Sequence, residues 1–185
     1  MNVYRLDDVA IRVSGNAEKL LSGLTSNTLD APQNAFLNMH GRIIATFWQK
    51  KTGVDEYTLM VPRVALDDLL KHLDRYARLN RTQVTVSEEK VYLDLDQKEP
   101  FASSEDLPTV SAEEFTAYRL KNNVPLMGVD YQADEFILNV HEHDFTSYTK
   151  GCFLGQEPVS KVHNRAKPVR KLVPGSQGFV FVKNE

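Results

Sequence analysis

Along this chain the spacing of apolar residues switches repeatedly between every second position and every third or fourth, and each switch marks an expected element boundary. Val9, Ile11 and Val13 alternate with polar neighbours and stop at Ser14-Gly15, which predicts a half-buried strand closed by a turn. Asn16 stands at the N-cap position of the next segment, where Ala17, Leu20, Leu21 and Leu24 share one helical face. That helix should give way at the polar run Thr25-Ser26-Asn27-Thr28. Ala35, Leu37 and Met39 alternate again, Gly41-Arg42 turns the chain, 43–49 runs on as a β-rich segment, and 56–61 returns after Thr52-Gly53, a meander of antiparallel hairpins. Pro62 opens the clearest helix, with Leu66, Leu69, Leu70, Leu73, Tyr76 and Ala77 in one stripe. Asp67 and Asp68 near its start and Arg75, Arg78 and Arg81 near its end suit the helix dipole.

Further on, 82–86 and 91–95 predict two strands joined by a polar turn through 87–90, and 100–108 predicts a loop. Residues 112–120 predict a short helix, with Ser111 and Glu114 spaced for a capping box, and 178–182 a terminal strand. The expected fold class is α+β, with antiparallel sheet segments and helices packed mainly on one side. The expected organisation is an N-terminal part over 1–96, a loop or boundary over 97–111, and a C-terminal part over 112–185.

At 185 residues and 42% apolar composition, the chain can bury a real core. No apolar run approaches the roughly 20 residues of a membrane span, and the N-terminus has no basic region followed by an apolar stretch. A lone cysteine forms no internal disulfide, which points to a reducing compartment, the cytoplasm or a mitochondrial matrix. The charge is uneven. Residues 150–171 carry a net +5 in a chain whose total is −3.

That basic segment opens on Lys150-Gly151-Cys152-Phe153-Leu154-Gly155-Gln156-Glu157. The flanking glycines allow close approach to a ligand, Gln156 and Glu157 offer an amide and a carboxylate, and Lys150 is placed to lower the thiol pKa. The competing reading of Cys152 is a small buried apolar residue. His141, His143 and His163 bracket the cysteine in sequence, but nothing in the spacing brings the four together, and no permanently bound metal is expected. The basic stretch is short, has no accompanying aromatics beyond Phe153, and sits in an acidic protein, so nucleic acid is not the expected partner.

The segment KGCFLGQE closely resembles the K-G-C-x-x-G-Q-E signature of the YgfZ-type folate-binding proteins, relatives of the aminomethyltransferase of glycine cleavage (T-protein). SGNAEKLLSGLTSNT, HGRI and YRLKNNVPLMG resemble earlier segments of the same family. The resemblance implies a T-protein-like fold, tetrahydrofolate as ligand, possible polyglutamate tails meeting the basic segment, and iron-sulfur proteins or their assembly machinery as partners. It further implies a functional thiol at Cys152 near the folate site, and folate-contacting roles for Asn27, Arg42, Tyr118, Arg119, Met127 and Arg165. Related aminomethyltransferases generally have a glutamate where Lys121 aligns, as partner of the pterin's amino-pyrimidine edge, and an acid near Ile44-Ala45. Lys121, Lys161 and Ala166 depart from the family pattern, and no Asp or Glu lies between Asp30 and Asp55. One-carbon transfer is therefore the alternative to a binding and accessory role, and an RNA-associated module a further one. Full-length relatives generally continue into another β-barrel domain, so a short family member is expected.

Overall fold

The computed structural model describes residues 1–140 and 144–185. Eight strands are present: β1 (Val3–Ser14), β2 (Gln33–Leu37), β3 (Ile43–Gly53), β4 (Glu56–Pro62), β5 (Gln83–Asp94), β6 (Glu99–Ser103), β7 (Arg170–Pro174) and β8 (Phe179–Lys183). With them stand four α-helices, α1 (Ala17–Leu24), α2 (Leu66–Asn80), α3 (Ala112–Asn122) and α4 (Gln156–Arg165). The first six strands form one sheet in the order β2-β3-β4-β1-β5-β6, with every neighbouring pair antiparallel; β7 and β8 form a separate hairpin. The α+β expectation is met. Among the described residues no helix is long and apolar enough to cross a membrane.

Alternation along β1 decides how the layers stack. Ile11 and Val13 join the larger core with Leu20 and Leu21 of α1 and Leu69 and Leu73 of α2. Leu6 and Ala10 join a second core with Met60, Val91, Leu93 and Phe115 of α3. Helices therefore cover both faces of the sheet, where the sequence pattern predicts mainly one. The reason lies in the centre of β1, where Val9, Ala10 and Ile11 are buried in succession. A strand that is apolar on both faces needs cover on both.

Three local expectations change. Residues 87–90 make no turn; β5 is continuous from Gln83 to Asp94 along β1, with register irregularities on either side of Val9 taking up the mismatch. Residues 99–103, inside the expected loop, pair with β5 as the edge strand β6. Asn16 occupies the N-cap of α1 in a left-handed conformation (φ 55°) and makes no capping bond. Its side-chain amide instead donates to the Asn80 carbonyl (2.9 Å), and Asp55 accepts from the Glu18 N–H (2.8 Å) at the helix start. The capping box of α3 is present as the sequence predicts: Glu114 N–H donates to the Ser111 hydroxyl at 3.2 Å, and Ser111 N–H to the Glu114 carboxylate at 2.9 Å.

Candidate functional site

Between the second sheet face, α3 and the connection over 125–131 lies a cavity of about 390 Å³. Tyr4 and Phe115 stack in its wall, ring centroids 3.7 Å apart, and Trp48 and Tyr131 add aromatic surface. The Tyr131 hydroxyl is paired with Thr46 at 2.6 Å, and burial pushes the phenol above its ordinary pKa. The far wall is pinned by an ion pair. Arg119 of α3 meets Asp130 at 2.5 Å, both side chains almost fully buried, and Asp130 also accepts from the Leu126 N–H at 2.7 Å. Gly128 adopts φ +86°, and a Cβ there would press on Val64 across the lip of the cavity.

One acid faces this aromatic slot without a donor. Asp8 of β1 lines the cavity, is half-buried, and makes no hydrogen bond to a described residue. Burial, and secondarily Asp7, push its carboxyl up to about 7, with Arg63 acting in the opposite sense. The acid that the resemblance places near Ile44-Ala45 is absent, yet the cavity has a carboxylate from another strand. Sequence reasoning passed over Asp8, Tyr4, Trp48, Phe115 and Tyr131. A signal for Asp8 existed: it interrupts the apolar face that Leu6 and Ala10 begin and continue.

Of the residues assigned to folate by resemblance, Met127 and Arg119 line the cavity. Arg119 is committed to Asp130 and to the Phe115 and Phe179 rings, so its charge is not free for an anion. Tyr118 lines an adjoining recess that shares Trp48 and Pro125 with the cavity; burial, then Asp94, raise its phenol pKa. Asn27, Arg42 and Arg165 line neither space. The Asn27 amide donates to the carbonyls of Gln33 and Asp144 at 3.0 Å each, which makes it a tie between segments. Arg42 donates to the Asp134 carbonyl (2.8 Å), and Arg165 is exposed near the end of α4.

The signature segment builds something else. The Lys150 ammonium donates to three carbonyls around the end of α1, Ser22 (2.9 Å), Thr25 (2.6 Å) and Asn27 (3.0 Å). Those are groups a helix C-terminus leaves without intrahelical partners. Burial pulls the ammonium down to about 8, while the three acceptors favour the protonated form. Phe153 is buried beneath, its ring centroid 5.2 Å from the Lys150 Nζ. Gly155 is the N-cap of α4 at φ 84°, and a Cβ there would strike the Asn38 carbonyl and crowd Leu37 and Gly41. Gln156 and Glu157 form the first turn of α4, and Glu157 is exposed.

Cys152 is exposed, as is Gly151. Its neighbourhood is an open groove of about 610 Å³ shared with Lys150, Glu18, Asp30, Lys51 and Tyr57, and this groove has no residue in common with the aromatic cavity. The thiol is therefore not at the mouth of that cavity, and Lys150 spends its donors on α1. His141 and His143 lie outside the described residues, and the His163 ring stacks on Tyr148 with centroids 3.6 Å apart. Among the described residues no group of three His, Cys, Asp or Glu side chains is gathered for a metal.

Neither a family model nor a curated protein matches the chain in sequence. Among solved structures, glycine cleavage system aminomethyltransferase T from Bartonella henselae is similar, with a TM-score of 0.75 over 92% of this chain, at 13% sequence identity. The match covers 65% of that protein's length. At such identity the likeness is one of architecture, and the chain has the fold of that aminomethyltransferase.

Proposed function

We propose that the cavity between the sheet and α3 binds a reduced folate, and that the protein is a folate-binding accessory factor of the YgfZ type serving the assembly or maintenance of iron-sulfur proteins. The cavity itself carries the reading. A pterin needs a flat apolar slot with a few polar contacts, and the stacked Tyr4 and Phe115, with Trp48, Tyr131 and the donor-free Asp8 carboxylate, make such a slot in an aminomethyltransferase-like fold. Arg5 at the same wall is the cation available to a first glutamate carboxylate. Lys161, Arg165 and Lys171 are exposed but line no part of the cavity, so additional glutamates gain only what long-range attraction provides. The accessory half of the reading is supported by Cys152, an exposed thiol in an open groove where a macromolecular partner has access.

Calorimetry of the full chain with mono- and polyglutamyl tetrahydrofolate tests the ligand. Saturable heats for both, differing only modestly, are expected; no heat from folded protein removes the folate reading. One observation favours a second reading, one-carbon transfer from a tetrahydrofolate-linked donor: an acid pushed up to about 7 is suited to proton transfer at neutral pH. Turnover with an aminomethylated carrier protein, abolished in Asp8→Asn, would establish that alternative.

A further inference from the structure

We propose that Asp8 is the specificity-determining residue of the cavity, its carboxylate accepting the paired N–H donors (ring N3–H and exocyclic 2-amino group) of a reduced pterin's amino-pyrimidine edge. The inference rests on the folate reading and assigns the direction in which the ring enters: donor edge toward β1.

The argument starts from what Asp8 lacks. A carboxylate withdrawn from water without a donor is costly, and native proteins rarely keep one except where a ligand completes it. The other polar groups of the cavity are already matched. Tyr131 bonds Thr46, Arg119 bonds Asp130, and Asp7 pairs with Arg63 at 3.0 Å. Asp8 is left as the acid with open acceptor capacity facing aromatic walls. Two oxygens in one plane match two parallel N–H donors on a planar heterocycle, the fork geometry that makes such pairs both strong and directional. Lys121, where related aminomethyltransferases carry the glutamate for this edge, is exposed and lines no part of the cavity. The acceptor role is thus vacant at that position and filled from a different strand.

The charged and titratable groups facing Asp8 are Asp7 and Arg5 on β1, Arg63 after β4, Glu88, Glu89 and Lys90 on β5, the Arg119–Asp130 pair and Tyr131. Burial outweighs them and pushes Asp8 up to about 7. Only the ionised carboxylate accepts both donors, so affinity should fall about tenfold per pH unit below that value and level off above it.

The test is titration of the full chain with tetrahydrofolate, and with its 2-desamino analogue, from pH 5.5 to 8.5. For the unmodified protein we expect the pH profile just described and at least tenfold weaker binding of the analogue at pH 8, the scale of a lost charge-assisted hydrogen bond. Asp8→Asn should bind tetrahydrofolate at least tenfold more weakly at pH 8, with a flat profile and little discrimination against the analogue. Binding by the unmodified protein with neither pH dependence nor discrimination overturns the inference and leaves the folate reading standing. An absence of binding at every pH overturns both. Because the profile and the analogue are read on the unmodified chain, the outcome does not depend on the variant's folding.

Discussion

Lys150 and Asp8 are opposite uses of a half-buried charge. Lys150 is surrounded by acceptors, and replacing it by Met would leave three carbonyls at the end of α1 without their donor. We expect a loss of about 1–3 kcal/mol, measured by urea denaturation. Lys150→Ala, which the sequence suggests would leave the fold intact, should be comparably destabilised. Cys152→Ser, at an exposed position, should change stability by less than about 0.5 kcal/mol. Asp8 has no donor, and its folded pKa, about 7 against an ordinary 3.8, means that the folded state holds a proton the unfolded state has released between those values. This contribution to stability is present below pH 4 and declines as pH rises to about 7. Asp8→Asn should lack the decline and be more stable than the parent at pH 8, by up to roughly 4 kcal/mol before solvent relaxation reduces it. A melting-temperature difference between parent and variant that does not grow from pH 4 to 8 would contradict this.

At the scale of elements, legibility followed the range of the deciding interaction. α1, α2, α3 and the β2–β4 meander were legible because their periodicity and caps are local. The continuity of β5 was not, because Ser87-Glu88-Glu89-Lys90 reads as a turn until β1 lies alongside to hold it extended. No periodicity announces α4, since Val159 is its one buried residue, Pro158 sits in its first turn, and its start depends on Gly155 fitting against the turn at Asn38 and Gly41. Gly155→Ala should therefore cost about 1–3 kcal/mol from the left-handed backbone, with more from the collision with Asn38. Ser111→Ala, which removes half of the α3 capping box, should cost about 1 kcal/mol. α2 adds a pH effect of its own. His72 is held below its ordinary pKa by burial, its Nε2 without a partner, so stability present near neutrality should be lost as pH falls below about 6.5. Replacement by Gln should flatten that part of the acid denaturation curve.

For the whole molecule, the recognisable signature and the cavity turned out to be different places. KGCFLGQE was the most legible stretch of the chain, yet the contacts of Lys150 and Gly155 bind α1, α4 and the β2–β3 turn together. The cavity is assembled from residues scattered over β1, β3, α3 and the 125–131 connection, and no short motif could announce it. What positions both is the sheet, apolar in its centre on two faces, with α1 and α2 on one and α3 on the other. The chain's one tryptophan, Trp48, stands in the wall of the cavity, and its one cysteine lies in the separate groove. Nature has thus installed two optical handles in the unmodified protein. Indole emission should respond to whatever enters the cavity, a maleimide dye on Cys152 should report arrivals at the groove, and energy transfer between them can follow both in one cuvette without an engineered label.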